Sequence, residues 1–155
     1  MLTHFRRTVS LSLVSSDMPV WSSVETVATV YQHTNNRYHL MLTEPKVCEP
    51  YPAKRDPEEL RLIWMELSPD RVAMTMQGNG KLSYRHFWER GAYGTSRYWL
   101  QRDSLAQSNQ FQLRNFTHQL DLKGDDCPRQ LHLDYELWSS HSRMGRYMMH
   151  LEIEK

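Results

Sequence analysis

Between Lys81 and Arg102 five cations, Lys81, Arg85, Arg90, Arg97 and Arg102, stand against a single carboxylate, Glu89. Interleaved with them are Tyr84, Phe87, Trp88, Tyr93, Tyr98 and Trp99. Cations that track phosphates, alternating with rings that stack on bases, make up the composition of a surface for single-stranded nucleic acid. The same composition arises when the rings of a strand pack inward and its arginines lie outward with their stems on apolar surface. No RNP-type motif accompanies the stretch, and the packing explanation is the simpler one.

A second constellation lies near the C-terminus, where His132, Asp134, His150 and Glu152 fall on two alternating runs. With Tyr135 facing Met149, Asp134 would lie opposite His150 and His132 opposite Glu152. Two imidazoles and two carboxylates on adjacent strands are the residue types of a divalent-metal site or an acid–base pair. On a solvated face they are more simply cross-strand pairs, contributing roughly 0.2–1 kcal/mol each. A metal site also needs fixed supporting partners, which an outer face rarely provides. No metal and no cofactor are therefore expected.

Nucleophilic chemistry has little to stand on. No serine sits in a Gly-x-Ser-x-Gly elbow, and Cys48 lies in a proline-rich stretch beside Glu49, which would hold its thiol protonated. Gly78-Asn79-Gly80 is too short for a phosphate-cradling loop and opens no helix. His86 beside Trp88 reads as a packed histidine. The chain is read as a binding protein and not as an enzyme.

These residues need elements to position them. A chain of 155 residues fits one domain and buries roughly two-thirds of its unfolded surface. Its 39% hydrophobic and 24% charged composition is globular, and a net charge of +1 gives no overall attraction to nucleic acid or acidic lipid. Cys48 and Cys127 form no CxxC or Cys/His cluster, which argues against a disulfide framework and a structural zinc. No apolar run approaches the ~20 residues of a spanning helix, and the Val9–Val14 run is too short and serine-rich for a signal core. A cytoplasmic setting without a membrane partner is expected.

The dominant periodicity is two. From Leu131 to Trp138, and again from Tyr147 to Glu154, apolar and polar residues alternate as they do in a strand with one buried face. Leu131, Leu133, Tyr135 and Leu137 should share a face with Tyr147, Met149, Leu151 and Ile153, across a reversing loop at 139–146. Further strands are expected at 8–14, with Val9, Leu11 and Leu13 inward, and at 21–31, with Val24, Thr26, Ala28 and Val30 on one face. Others are expected at 38–43, 60–67, 72–76, 82–89 and 95–101, with Asn35-Asn36 supplying a tight hairpin. Phe111 and Leu113 alternate in one phase and Phe116, His118, Leu120 and Leu122 in the other, so a bulge is expected near Asn115. Four prolines at 44–59 mark an irregular connection. Asp56–Leu67 is the stretch where a helix competes with a strand.

Nine or ten short strands with almost no helix point to an all-β fold. A closed antiparallel barrel of about 8–10 strands is preferred over an open sheet, because closure removes unpaired edges. The pattern resembles the YwiB-like family of bacterial calycin-type, lipocalin-like β-barrels. The resemblance is carried by Tyr31–Tyr38 with Leu42-Thr43-Glu44, by Met76–Leu82 followed by Phe87 and Gly91, and by Asn115–Leu120 before Leu131–Leu137. It implies a lipocalin-like barrel and carries no activity with it. Gln77 stands where that family tends to have arginine, and 103–108 replaces its tyrosine–glycine turn, so no role transfers there.

The functional expectation is a barrel of residues 1–155 that holds a small, partly apolar ligand inside. Tyr84, His86, Trp88, Tyr98 and Trp99 would line its mouth, and Arg85 or Arg97 would orient the ligand's polar end. Two alternatives stand beside it. One is binding of single-stranded RNA or a protein partner through the outer face of 81–102; the other is a structural homo-oligomer with an aromatic interface.

Overall fold

The computed structural model describes residues 3–34, 36–43, 47–48, 62–77, 82–101, 108–124 and 127–154. Among these residues eleven strands run β1 (Thr3–Ser15), β2 (Trp21–Thr34), β3 (Arg37–Thr43), β4 (Val47–Cys48), β5 (Leu62–Leu67) and β6 (Arg71–Gln77), then β7 (Leu82–Glu89), β8 (Tyr93–Gln101), β9 (Ser108–Lys123), β10 (Gln130–Ser139) and β11 (Ser142–Ile153). Every ladder pairing is antiparallel, and each of ten strands hydrogen-bonds the next along the chain, while β4 is a two-residue addition on β2 at Ser23 and Val24. β1 pairs with both β2 and β11, which closes the ten strands into a barrel.

The alternation decides what fills the barrel. Val9 and Leu11, Val24, Ala28 and Val30, Tyr38, Leu40 and Leu42, and Ile63, Met65 and Leu67 are all buried in one core. Val72, Met74 and Met76 continue it around the wall, and Leu131, Leu133, Met149 and Leu151 complete the ring. Ten strands enclose a wider interior than eight, and bulky methionines and rings occupy it.

The C-terminal hairpin has the face expected of it but a different register. Leu131 lies opposite Leu151, Leu133 opposite Met149 and Tyr135 opposite Tyr147. The turn is only Ser140-His141, with Ser140 at φ 53° and Ser139 paired to Ser142, so the polar stretch 142–146 belongs to β11. A bulge between Leu137 and Trp138 then sets Tyr135 two residues away from Met149. His132 consequently faces His150, and Asp134 faces Met148. The Arg146 guanidinium reaches Asp134 through two 2.8 Å hydrogen bonds and holds its carboxyl below the usual range. Glu136 takes His118 at 3.1 Å and the Trp138 indole at 3.1 Å. The carboxylate–histidine array expected from the other register does not assemble.

Two further differences are local. The phase slip in β9 falls at His118, where Gln119 faces Asp134 and Thr117 faces Tyr135, so Asn115 and Thr117 stay buried while Phe116 lies half-buried. The segment Leu62–Leu67 is strand, and Val47–Cys48 is strand where a loop was expected; residues 44–46, 49–61 and 78–80 lie outside the described residues.

The inward and outward sorting of β10 generates a prediction. Leu133→Ala should cost about 2–5 kcal/mol, as large-to-small changes in closed cores do. His132→Ala, one residue away on the other face, should stay within about 0.5 kcal/mol. Urea denaturation of both variants checks this, and equal costs would contradict the sorting.

Candidate functional site

β7 carries Tyr84, His86 and Trp88 at every second position, so all three point to the same side, which is the interior. β8 contributes Ser96 and Tyr98, and β9 contributes Asn115 and Thr117. His86 is almost wholly buried and stacks on Trp88, with ring centroids 4.8 Å apart and planes 5° apart. Its Nδ1 lies 2.7 Å from Ser96 Oγ, and its Nε2 lies 3.2 Å from the Tyr98 hydroxyl. The Asn115 amide donates to Ser96 Oγ and to the Phe87 carbonyl, both at 2.9 Å. Asn115, Ser96, His86 and Tyr98 thus form one hydrogen-bonded relay across three strands.

Aromatic rings surround the relay. Tyr84 meets His86 edge-on at 5.0 Å, Trp88 meets Tyr135 at 5.1 Å, and Tyr135 stacks with Tyr147 at 5.7 Å. Gly94 is required beside them, because a Cβ there would come within 2.0 Å of the Phe87 carbonyl oxygen. The close approach of β7 and β8 lets Asn115 bridge them.

Burial keeps this site uncharged. It lowers the His86 pKa to about 3 and raises that of Tyr98 to about 12, and it pushes the fully enclosed Tyr135 well above the ordinary phenol value. At neutral pH His86 has one donor and one acceptor nitrogen, matching its two partners. Among the described residues three buried side-chain polar atoms have no hydrogen-bond partner: Trp88 Nε1, Asn115 Oδ1 and Thr117 Oγ1. Buried polar groups are ordinarily satisfied, so a donor, an acceptor and a hydroxyl left over in one neighbourhood mark it as unusual.

The barrel end nearest this site carries a depression in its rim. A half-open cavity of about 490 Å³ lies where the β2–β3, β5–β6 and β7–β8 turns gather. Its lining draws on an inward row, Tyr38, Leu67, Val72, Trp88 and Gly94, and on an outward row, His39, Glu66, Ala73, Phe87 and Thr95, so it sits at the rim. Arg37, Arg71 and Glu89 edge it, with Arg71 and Glu89 in a 3.7 Å ion pair.

The seven residues expected to bind ligand are therefore split. Tyr84, His86, Trp88 and Tyr98 come together inside. Arg85 and Arg97 lie exposed on the outer face opposite one another, and Trp99 faces outward beside them between Ser83 and Gln110. The reason is the alternation itself: a residue between two inward ones on a strand points outward. Arg90 has a structural task, its guanidinium donating to the Leu120 carbonyl just past the β9 bulge and to the Pro69 carbonyl at 3.0 Å. Lys81 and Arg102 lie outside the described residues. Ser96, Asn115 and Thr117 escaped the sequence reading. The apolar–polar pattern of β9 is ambiguous around its bulge, and an inward serine or asparagine carries no signal of its own.

The buried histidine gives a pH dependence. Below about pH 6.5 the unfolded chain takes up a proton on His86 that the folded chain refuses, so stability falls as pH drops from 6.5 toward 3 and gains nothing above 6.5. The slope contributed approaches about 1.4 kcal/mol per pH unit. His86→Gln should flatten the stability profile between pH 5 and 6.5 by about that slope in urea denaturation. An unchanged profile would contradict the burial of a neutral His86.

No protein-family model matches the chain, and no curated protein matches it in sequence. Among solved structures, its fold is similar to the crystal structure of the YwiB protein from Bacillus subtilis, with a TM-score of 0.56 and 12% sequence identity over 99% of this chain and 94% of that one. At that identity the likeness speaks to the fold alone. The chain is a small closed β-barrel of ten strands, similar in structure to YwiB.

Proposed function

We propose that the protein is a calycin-like barrel that binds a small, partly apolar ligand at the rim cavity, without covalent chemistry. The observation that carries this reading is the half-open cavity of about 490 Å³ whose inner side includes Tyr38, Leu67, Val72 and Trp88. That volume falls within the range of small-molecule sites, and the wall joins an apolar inner side to a polar, charged edge.

The charged residues of the lining, Arg37, Glu66, Arg71 and Glu89, stand at its edge. Arg85 and Arg97 are on the outer face, and His86 behind Trp88 stays neutral. A charged end of the ligand would therefore stay at the edge near Arg37 and Arg71 while its apolar part meets Trp88, because an unpaired buried charge is costly. A binding role fits the burial of the relay: Ser96 has no exposed surface from which to attack a substrate.

Native mass spectrometry of protein purified from its own source cells tests the reading. A co-purifying mass on the order of a few hundred daltons, lost on denaturation, is the expected result. Val72→Trp, which fills the cavity wall, should abolish it while the fold persists by circular dichroism. A clean apo mass for the unaltered protein, together with no uptake of apolar probes, would contradict the proposal.

A further inference from the structure

The outer face of β7, β8 and β9 carries an arrangement that folding does not explain. Arg85 and Arg97 are directly opposite one another on adjacent strands, and neither has a carboxylate partner among the described residues. Like charges placed directly opposite in a sheet are destabilising. Beyond Arg97 the row continues to Gln112, which neutralises nothing. Arg114, opposite Thr95 on the same face, adds a third cation. Of the acidic residues on these strands that face outward, Glu89 is already paired with Arg71, and Asp121 lies beyond the β9 bulge, where it accepts from the Gln119 amide.

Exposed rings stand among these cations. Phe87 is 44% exposed and Tyr93 61% exposed. The Arg85 guanidinium lies over the Phe87 ring at 4.6 Å, and that of Arg114 lies over the Tyr93 ring at 4.7 Å. Each ring is thus coupled to a positive head, with Phe116 packed edge-on against Tyr93 at 5.0 Å. An acidic peptide would be served by the arginines alone and would leave the rings without a task. A double helix offers phosphates but keeps its base faces stacked. Unstacked bases between phosphates use both features at once.

We propose that this face binds single-stranded nucleic acid, with Arg85, Arg97 and Arg114 on phosphates and Phe87 and Tyr93 stacking on bases. The surface is separate in chemistry from the rim cavity, although Phe87 and Tyr93 stand at the boundary of both. It does not depend on the small-ligand reading, and either can fail without the other.

The test is fluorescence anisotropy with a labelled twelve-nucleotide oligouridine, between 50 and 200 mM salt. Three neutralised phosphates predict that the logarithm of the binding constant falls against the logarithm of salt with a slope of about −2, taking about −0.7 for each on a single strand. The double variant R85Q/R97Q should reduce that slope to about −0.7 and weaken binding at low salt. Phe87→Leu should weaken binding roughly tenfold or more with the slope unchanged, the signature of lost stacking. Thermal melting shows that each variant is folded; Arg85 and Arg97 are exposed, and their replacement relieves a like-charge pair. No binding at 50 mM salt overturns the proposal. So does a slope indifferent to R85Q/R97Q, equal affinity for duplex RNA, or a preference for poly-glutamate over oligouridine.

Discussion

The fold depends on the double pairing of β1. Twelve register pairs join it to β2 and seven join it to β11, so the strand nearest the start of the sheet also receives its last one. Without that second ladder the ten strands would be an open meander with two unpaired edges, a template for aggregation. With it, each strand has an inside and an outside, and period-two alternation becomes a sorting rule for the whole molecule. The β1–β2 turn is held to β11 from the side as well. Asp17 accepts the Arg146 backbone N–H at 3.0 Å and the Arg143 guanidinium at 2.6 Å, and Ser15 Oγ donates to the Arg146 carbonyl at 2.9 Å.

The sorting separates two kinds of chemistry that lie together in the sequence. Residues 84–88 read Tyr-Arg-His-Phe-Trp, and the barrel wall sends the first, third and fifth inward and the others outward. Inside, burial suppresses ionisation and leaves a neutral relay of Asn115, Ser96, His86 and Tyr98 enclosed by rings. Outside, charge is retained and each of two arginines lies over a ring. The inner side suits recognition by shape and neutral hydrogen bonds, whereas the outer side suits recognition of anions. The wall between them is one residue thick.

Much of this was legible in the alternation. The buried face of β10 and β11, the inward residues of β1 and β2, and barrel closure all follow from apolar–polar spacing and the cost of open edges, and Asn36 between β2 and β3 takes the positive φ, 65°, that its residue type tolerates. The register of the last hairpin was not legible. Ser140 adopts a left-handed conformation that glycine or asparagine would normally advertise, so the polar stretch after it resembles a loop although it is strand. The β9 bulge was anticipated three residues early, since Phe116 and His118 mimic the inward phase and Asn115 and Thr117 mimic the outward one. Assigning Arg85 and Arg97 to the interior conflicted with the alternation around Tyr84, His86, Trp88 and Tyr98. The spacing already placed them on the far side of the wall.

Closure by β1 is the claim on which the interior, the rim cavity and the outer face all rest. The most direct measurement is the set of backbone proton NOEs from β1 in an NMR spectrum of the protein in solution. Leu11 should show cross-strand contacts to both Val24 and Leu151, and Ser10 to both Glu25 and Glu152. Contacts from β1 to β2 alone, with β11 presenting fast-exchanging edge amides, would describe an open sheet and contradict the account.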